Sequence, residues 1–239
     1  MKNHSLWNNV DEYFEEKLLP EDKILNQILE NNQAAGLPQI DVAPLQGKLL
    51  YLLTKMKSAR QVLEIGTLGG YSSIWFAKGV TQNGKVVTLE ANQTHAEIAR
   101  KNIENAGFKQ TVQVLVGNAI DTLPTLENAG ESFDVIFIDA DKQNNPKYLE
   151  WALRLANEGA LLIADNVVRN GEVIDQKSED ERIQGLREFM NMLENEERIE
   201  STAIQTVGSK GYDGFVIGIV KYAGPSKFRE GNLLSSREN

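Results

Sequence analysis

The sequence predicts an α/β protein with a doubly wound, mostly parallel sheet of seven strands, an antiparallel last strand and N-terminal helices. From residue 61 onward, short apolar segments alternate with segments of helical periodicity. Two apolar segments, Val135–Ile138 and Ala160–Ile163, are continuous, which is typical of parallel strands covered on both faces. The last two predicted strands are joined by a connection too short for a helical crossover, so we expect them to be antiparallel.

The first 40 residues predict a helical cap in front of the sheet. Apolar residues recur there at helical spacing: Leu6, Val10, Phe14 and Leu18. This helix breaks at Pro20, a second ends near Gly36, and a third is predicted over 43–56. The apolar stripe of the first helix has three possible roles: it caps the core, covers a binding site or contacts a second subunit.

Strands and helices then alternate to the end of one domain, which we place at 1–223. Strands are predicted near 61–65, 85–90, 111–116, 133–138, 159–164, 199–206 and 214–221. Helices are predicted near 70–81, 93–107, 118–128, 144–156 and 178–195. The connection over 207–214 reads as a loop. The polar tail over 224–239 has little periodicity and is predicted to be disordered.

The composition excludes several classes of protein and of active site. The 239 residues carry a formal net charge of −9, which disfavours broad attraction to nucleic acid or anionic membranes. We find no apolar run near the ~18–20 residues of a spanning helix, and no signal-peptide core in Met1–Val10. The sequence has no cysteine, which excludes disulfides, zinc–thiolate sites and thiol nucleophiles. With only two histidines, His4 and His95, a catalytic Ser–His pair is nearly ruled out. We therefore expect a cytoplasmic, soluble protein.

A glycine-rich turn is the most informative stretch. Gly66, Gly69 and Gly70 lie between an apolar strand and a predicted helix, so backbone N–H groups and a helix N-terminus meet there. The dinucleotide spacing G-x-G-x-x-G is not present, because Leu68 and Tyr71 occupy glycine positions. Glu90 ends the next strand, where an acid can accept hydrogen bonds from a ribose. The turn is either a simple tight turn or, with the acid, a nucleoside-cofactor site.

Polar residues follow two later strands directly. Asp139 comes after the strand 133–138, and Asp165 and Asn166 come after the strand 159–164. If these strands are neighbours, their ends lie only ~5 Å apart. Two carboxylates and an amide oxygen then suit Mg²⁺, Mn²⁺ or Ca²⁺, although Asp and Asn are also common turn formers and helix caps. Lys142, three residues past Asp139, is either a surface lysine or a group that takes up a proton.

Four motifs in this order resemble the cation-dependent, S-adenosylmethionine-dependent O-methyltransferases, which include catechol and caffeoyl-coenzyme A O-methyltransferases. The motifs are Leu63–Ser72, Glu90, Phe137–Lys142 and Asp165–Val167, and the likeness, closest to the bacterial branch, runs from about Val42 to Lys221. The resemblance implies a Rossmann-like methyltransferase fold. It also implies methyl transfer from S-adenosylmethionine to a hydroxyl of a small catechol-like or caffeoyl-type phenol, with Mg²⁺ as the expected cation and Mn²⁺ or Ca²⁺ as alternatives.

The resemblance also implies roles for individual residues. Cofactor contacts are implied for Val42, Glu64, Gly66, Thr67, Gly70, Ser72, Glu90, Ala119 and Asp139. Among these, Glu64 is expected near the methionine amino group and Glu90 at the ribose hydroxyls. Gly117–Ala119 is expected beside the adenine. Metal ligands are implied at Asp139, Asp165 and Asn166, and Lys142 is implied as the general base. A homodimer is expected from the family and from the N-terminal apolar stripe.

Arg169 departs from the family pattern, since many members carry an aromatic residue there. Together with the variable segments 5–40, 167–180 and 207–214, it leaves the identity of the acceptor open. Three other functions are compatible with parts of the sequence: a metal-independent methyltransferase, a cofactor-binding regulator without catalysis, and an NAD-dependent dehydrogenase.

Overall fold

Three helices precede the sheet. The computed structural model describes the backbone of residues 2–222 and the side chains of residues 4–222. The helices are α1 (Lys2–Leu18), α2 (Lys23–Ala34) and α3 (Pro44–Lys57), as the apolar spacing predicts. Asp22 caps α2 by accepting hydrogen bonds from the N–H groups of Ile24 and Leu25, both at 3.1 Å. The predicted disorder of 224–239 concerns residues outside the described range.

The sheet has seven strands. They are β1 (Gln61–Ile65), β2 (Lys85–Glu90), β3 (Val112–Val116), β4 (Phe133–Ile138), β5 (Ala156–Asp165), β6 (Ile199–Gly208) and β7 (Gly211–Val220). Their order across the sheet is β3-β2-β1-β4-β5-β7-β6. Strands β1 to β5 pair in parallel, and β7 is antiparallel to both of its neighbours. The predicted fold class, including the antiparallel last strand, is confirmed.

Helices cover both faces of the sheet. Besides the first three, they are α4 (Tyr71–Gly79), α5 (Gln93–Asn105), α6 (Ala119–Asn128), α7 (Asn145–Leu155) and α8 (Glu181–Glu194). One apolar core packs α7 against one face, with Leu63 and Leu149 fully buried, and the other packs α4 against the opposite face, with Phe76 and Phe137 fully buried. No helix within residues 2–222 is both long enough and apolar enough to cross a bilayer.

Two predicted boundaries are wrong. The loop predicted over 207–214 is largely strand: Val207 pairs with Tyr212 and Gly208 with Gly211, which leaves a two-residue turn. Clustered glycines in 208–214 read as loop, but β pairing with a partner strand overrides that local preference. Strand β5 also begins earlier than predicted, at Ala156, where pairing with β4 stops the helix that was predicted to run to residue 156.

Candidate active site

The carboxyl ends of β1, β4 and β5 meet at one edge of the sheet. Ile65 is paired with Ile138, and Ile138 with Ala164. Asp139 follows β4 directly, and Asp165 is the last residue of β5. The two strand ends are therefore neighbours, as the metal hypothesis requires, and a ligand at this edge meets the residues that follow both strands.

A cavity of about 730 Å³ opens at the same edge. Ten of the predicted site residues line it: Val42, Gly66, Thr67, Ser72, Glu90, Asn118, Ala119, Asp139, Lys142 and Asn166. Four predicted residues are absent from the lining, namely Glu64, Gly70, Gly117 and Asp165. One cavity is therefore lined by the glycine turn, by Glu90 of β2 and by residues that follow β4 and β5. Its size is that of a small-molecule site.

The glycine turn is packed tightly against the end of β4. Gly66 has a φ of +105°, and a Cβ added there would lie 2.1 Å from the carbonyl oxygen of Asp139, so no side chain fits. Gly70 has a φ of +85° and is the N-cap of α4. Both glycine N–H groups are bonded within the protein: that of Gly66 donates to the carbonyl oxygen of Leu89 and that of Gly70 to the carbonyl oxygen of Thr67. Gly66 lines the cavity, and Gly70 does not.

Glu90 holds the turn in place as well as lining the cavity. Its Oε2 accepts hydrogen bonds from the N–H groups of Leu68 at 2.8 Å and Thr67 at 3.3 Å, and its Oε1 accepts one from the N–H of Asn92 at 2.9 Å. The Nδ1 of His95 lies 3.7 Å from Oε1. One carboxylate therefore fixes the geometry of the glycine turn and presents its remaining acceptor positions to a ligand.

Glu64 lies beneath the turn and is fully buried. Its carboxyl accepts hydrogen bonds from the hydroxyls of Ser72 at 2.5 Å, Thr88 at 2.6 Å and also Ser73. Burial raises the pKa of Glu64 from 4.5 to about 7, and the hydroxyl donors oppose only part of that shift. Glu64 therefore supports the floor of the site, and its predicted contact with the methionine amino group stays a prediction.

Asp139 and Asp165 each already have a protein partner. The Nζ of Lys142 donates to Oδ1 of Asp139 at 2.9 Å, and the side chain of Lys142 is only 7% exposed. The Nε2 of Gln46 donates to Oδ2 of Asp165 at 2.7 Å, and the N–H of Asn166 donates to its Oδ1 at 2.8 Å. Burial, followed by the charge of Asp139, raises the pKa of the Asp165 carboxyl, and the Lys142 ammonium opposes the shift.

Comparison with known proteins identifies the family. A sequence profile of the family described as O-methyltransferase matches residues 15–215. The chain belongs to the O-methyltransferase family. The O-methyltransferase from Bacillus cereus, solved in complex with SAH, is 54% identical with a TM-score of 0.90, over 91% of this chain and 100% of that one.

Two relatives of this O-methyltransferase are named catechol O-methyltransferase. The one from Mycobacterium tuberculosis is 47% identical over 89% of this chain and 96% of its own length. The one from Niastella koreensis is 44% identical over 92% of this chain and all of its own length. The enzyme class predicted from the sequence, an O-methyltransferase, is confirmed by these matches.

The oxygen donors of the enzyme fit a hard divalent cation. A carboxylate offers about four lone-pair positions, so Asp139 and Asp165 keep acceptor capacity beyond their present hydrogen bonds. Asn166 lines the cavity and has a φ of +55°, a strained conformation of the kind found at functional sites. Across residues 2–222 no three or more His, Cys, Asp or Glu side chains group together as a metal site.

Sequence reasoning did not find Gln46 or Asp213. Gln46 is 119 residues away from its partner Asp165 in the chain and belongs to a helix with no polar motif. Asp213 lies in the hairpin strand β7, and its Oδ1 accepts from the N–H groups of Val168 and Arg169, both at 3.0 Å. No local spacing in the sequence marks either residue, because both contacts depend on how distant elements pack.

Proposed function

We propose that the enzyme transfers a methyl group from S-adenosylmethionine to a hydroxyl of a small catechol-like or caffeoyl-type phenol, with the help of a divalent cation. The observation that carries this proposal is the adjacency of Asp139 and Asp165, at the ends of β4 and β5, beside the cavity that contains Glu90. Two comparisons support this proposal. Two relatives are named catechol O-methyltransferase, and the similar Bacillus cereus protein was solved in complex with SAH.

The nucleoside cofactor would occupy the part of the cavity lined by the glycine turn. Glu90 would accept hydrogen bonds from the ribose hydroxyls, since its carboxylate faces the cavity and is held by backbone donors. Ala119 would lie beside the adenine, and Val42 and Ser72 beside the methionine portion. Gly66 and Thr67 would let the backbone approach the cofactor closely.

Asp139, Asp165 and Asn166 would hold the cation, with Mg²⁺ as the expected ion and Mn²⁺ or Ca²⁺ as alternatives. When bound, a divalent cation supplies positive charge that favours a phenolate over a phenol. Gln46 would keep the Asp165 carboxylate in a fixed orientation through its hydrogen bond to Oδ2.

Lys142 would act on the proton of the acceptor. Lys142 would be the base that takes up the proton of the acceptor hydroxyl, and its Nζ lies 2.9 Å from Oδ1 of Asp139. The acceptor oxygen would then form a bond to the methyl carbon as the carbon–sulfur bond of the sulfonium breaks. Anion and cation neutralise each other in this step, so orientation of the two reactants in a shielded cavity favours it.

The test is methyl transfer to catechol, measured by mass spectrometry of the product, with Mg²⁺ and with a chelator. The proposal predicts that chelation abolishes transfer. Asp165→Asn replaces a charged ligand, so it should lower transfer by at least the ~10–100-fold that the loss of a ligand-orienting group costs. S-adenosylmethionine affinity, measured by calorimetry, should change little in that variant. Full activity in the presence of the chelator would refute the metal requirement.

A metal-independent methyltransferase is the second candidate, and one observation favours it. Lys142 and Gln46 already compensate Asp139 and Asp165, so the acidic pair has protein partners in the absence of a cation. Activity that survives chelation would select this alternative. Cofactor binding without transfer to any phenol would instead indicate a non-catalytic regulator. The expectations of a homodimer, of a cytoplasmic location and of no nucleic-acid or membrane partner stay predictions.

A further inference from the structure

The guanidinium of Arg169 has no partner in the described part of the chain. Arg169 lines the cavity and is half-buried there, three residues after Asn166. Across residues 2–222 its side chain makes neither a hydrogen bond nor an ion pair. A half-buried cation that faces a binding cavity without a counter-ion is a site for an anionic group of a ligand.

The other basic side chains of the cavity already have partners. Lys142 binds Asp139, and the Nδ1 of His95 lies beside Glu90. Arg182 binds Asp180, and hydrogen bonds from Arg182 lower the pKa of that carboxyl to about 2. The charge of Arg169 also lowers the pKa of Asp180, but without a hydrogen bond. The Asp180 carboxylate is therefore paired with Arg182 and not with Arg169. Among the described residues that line this cavity, Arg169 is therefore the basic side chain that is available to bind a ligand.

The backbone of Arg169 is held in a fixed, strained conformation. Its φ is +52°, and Asn170 and Gly171 follow at +55° and +89°. The Oδ1 of Asp213 accepts the N–H groups of Val168 and Arg169, which anchors this turn to β7. Left-handed residues other than glycine persist only where the surroundings impose them, so the position of Arg169 is set by the fold and not by chance.

We propose that Arg169 binds a carboxylate on the methyl acceptor, so that the preferred substrates are phenols that carry an acidic substituent on or near the ring. This inference rests on the proposed function and adds the acceptor class to it. Asn166 and Arg169 are close in the chain, so a ring held by its hydroxyls near Asn166 can present its substituent to Arg169. A planar guanidinium matches a carboxylate with two parallel hydrogen bonds.

The experiment compares kcat/KM for a dihydroxybenzoate and for the matching dihydroxybenzamide, which has the same shape without the charge. The wild-type enzyme should prefer the acid by at least about tenfold, as expected for one charge-assisted hydrogen-bonded pair. Arg169→Gln should reduce that ratio to near one. Lys177→Gln, which removes the same charge from an exposed position in the same segment but outside the cavity lining, should keep the wild-type ratio.

Calorimetry of SAH and of the dihydroxybenzoate separates the alternatives. If Arg169→Gln weakens SAH binding and leaves the acid-to-amide ratio unchanged, the guanidinium binds the amino-acid carboxylate of the cofactor and the inference is wrong. Equal use of acid and amide by the wild-type enzyme also overturns it, while the proposed function stands. If neither phenol is methylated although SAH binds, the proposed function fails, and this inference fails with it.

Discussion

Gln46 donates a 2.7 Å hydrogen bond from its Nε2 to Oδ2 of Asp165, which links helix α3 to the end of strand β5. Asp165 is 5% exposed, and a buried carboxyl group needs such a donor to keep one orientation. The proposed cation site is therefore built from three parts of the chain: the residues after β4, the residues at the end of β5, and one turn of α3.

Gln46→Leu should weaken the proposed cation site. Loss of the amide donor leaves Oδ2 of Asp165 without this partner, and the loss of a group that orients a ligand costs about 10–100-fold in metal affinity. The measurement is the Mg²⁺ concentration that gives half-maximal methyl transfer. The same substitution at exposed Gln33 of α2 is the matched control, and equal Mg²⁺ requirements in the two variants would contradict the role of Gln46.

Glu90→Ala should affect both the cofactor and the turn that contacts it. The N–H groups of Thr67 and Leu68 lose a charged acceptor, and the ribose loses its proposed partner. We expect S-adenosylmethionine affinity to fall at least about tenfold and the free energy of unfolding to fall by ~1–3 kcal/mol. Calorimetry and denaturant unfolding measure the two effects.

Glu90→Gln separates the two roles of this residue. An amide keeps one oxygen acceptor for the backbone but loses the charge, so stability should be partly restored while cofactor affinity stays low. If Glu90→Ala binds S-adenosylmethionine as tightly as the wild-type protein, the ribose assignment is wrong.

Glu64 should make stability depend on pH in the direction opposite to that of an ion-paired carboxylate. Burial raises the pKa of Glu64 from 4.5 to about 7, so the folded chain retains a proton that the unfolded chain releases. The stabilising contribution is complete below pH 4.5 and is lost as the pH rises through about 7. Relative to Glu64→Gln, the wild-type protein should therefore lose on the order of 3 kcal/mol of stability across this range.

The measurement for Glu64 is denaturant unfolding of the cofactor-free protein at a series of pH values. The difference between wild type and Glu64→Gln isolates this carboxyl from other titrating groups, and Glu97→Gln, at an exposed position of α5, is the control. Parallel stability curves for the wild-type protein and Glu64→Gln would show that Glu64 is ionised in the fold despite its burial.

The apolar stripe of α1 should form the contact between two subunits. Four predicted stripe residues have exposed side chains: Leu6, Val10, Phe14 and Leu18. Exposed apolar groups on one helix face are typical of an interface. Light scattering after gel filtration should give twice the mass of one chain for the wild-type protein. The double variant Leu6→Glu and Leu18→Glu should give the mass of one chain. Ile174→Glu, at an exposed apolar position outside α1, is the control, and a monomeric wild-type protein would end the dimer hypothesis.

Much of the fold could be predicted from local sequence. The continuous apolar segment Val135–Ile138 is a central strand, and Glu90 and Asp139 end up at the cavity because each directly follows or ends a parallel strand. The hairpin over 207–214 could not be predicted, since its glycines favour a loop until β7 supplies a partner. For Glu64, the sequence predicts the position in strand β1. It does not predict that the carboxyl is fully buried and accepts hydrogen bonds from three hydroxyl groups.

The sequence by itself determined the alternation of strands and helices, the glycine turn, and the acids at the strand ends, because periodicity and chain order act over a few residues. Only the tertiary structure decided that Gln46 holds Asp165, that Asp213 holds the turn of Arg169, and that Arg169 lines the cavity without a side-chain partner among the described residues. These contacts join residues tens of positions apart. They are set by how helices and strands pack around one core, and local propensity carries no information on that packing.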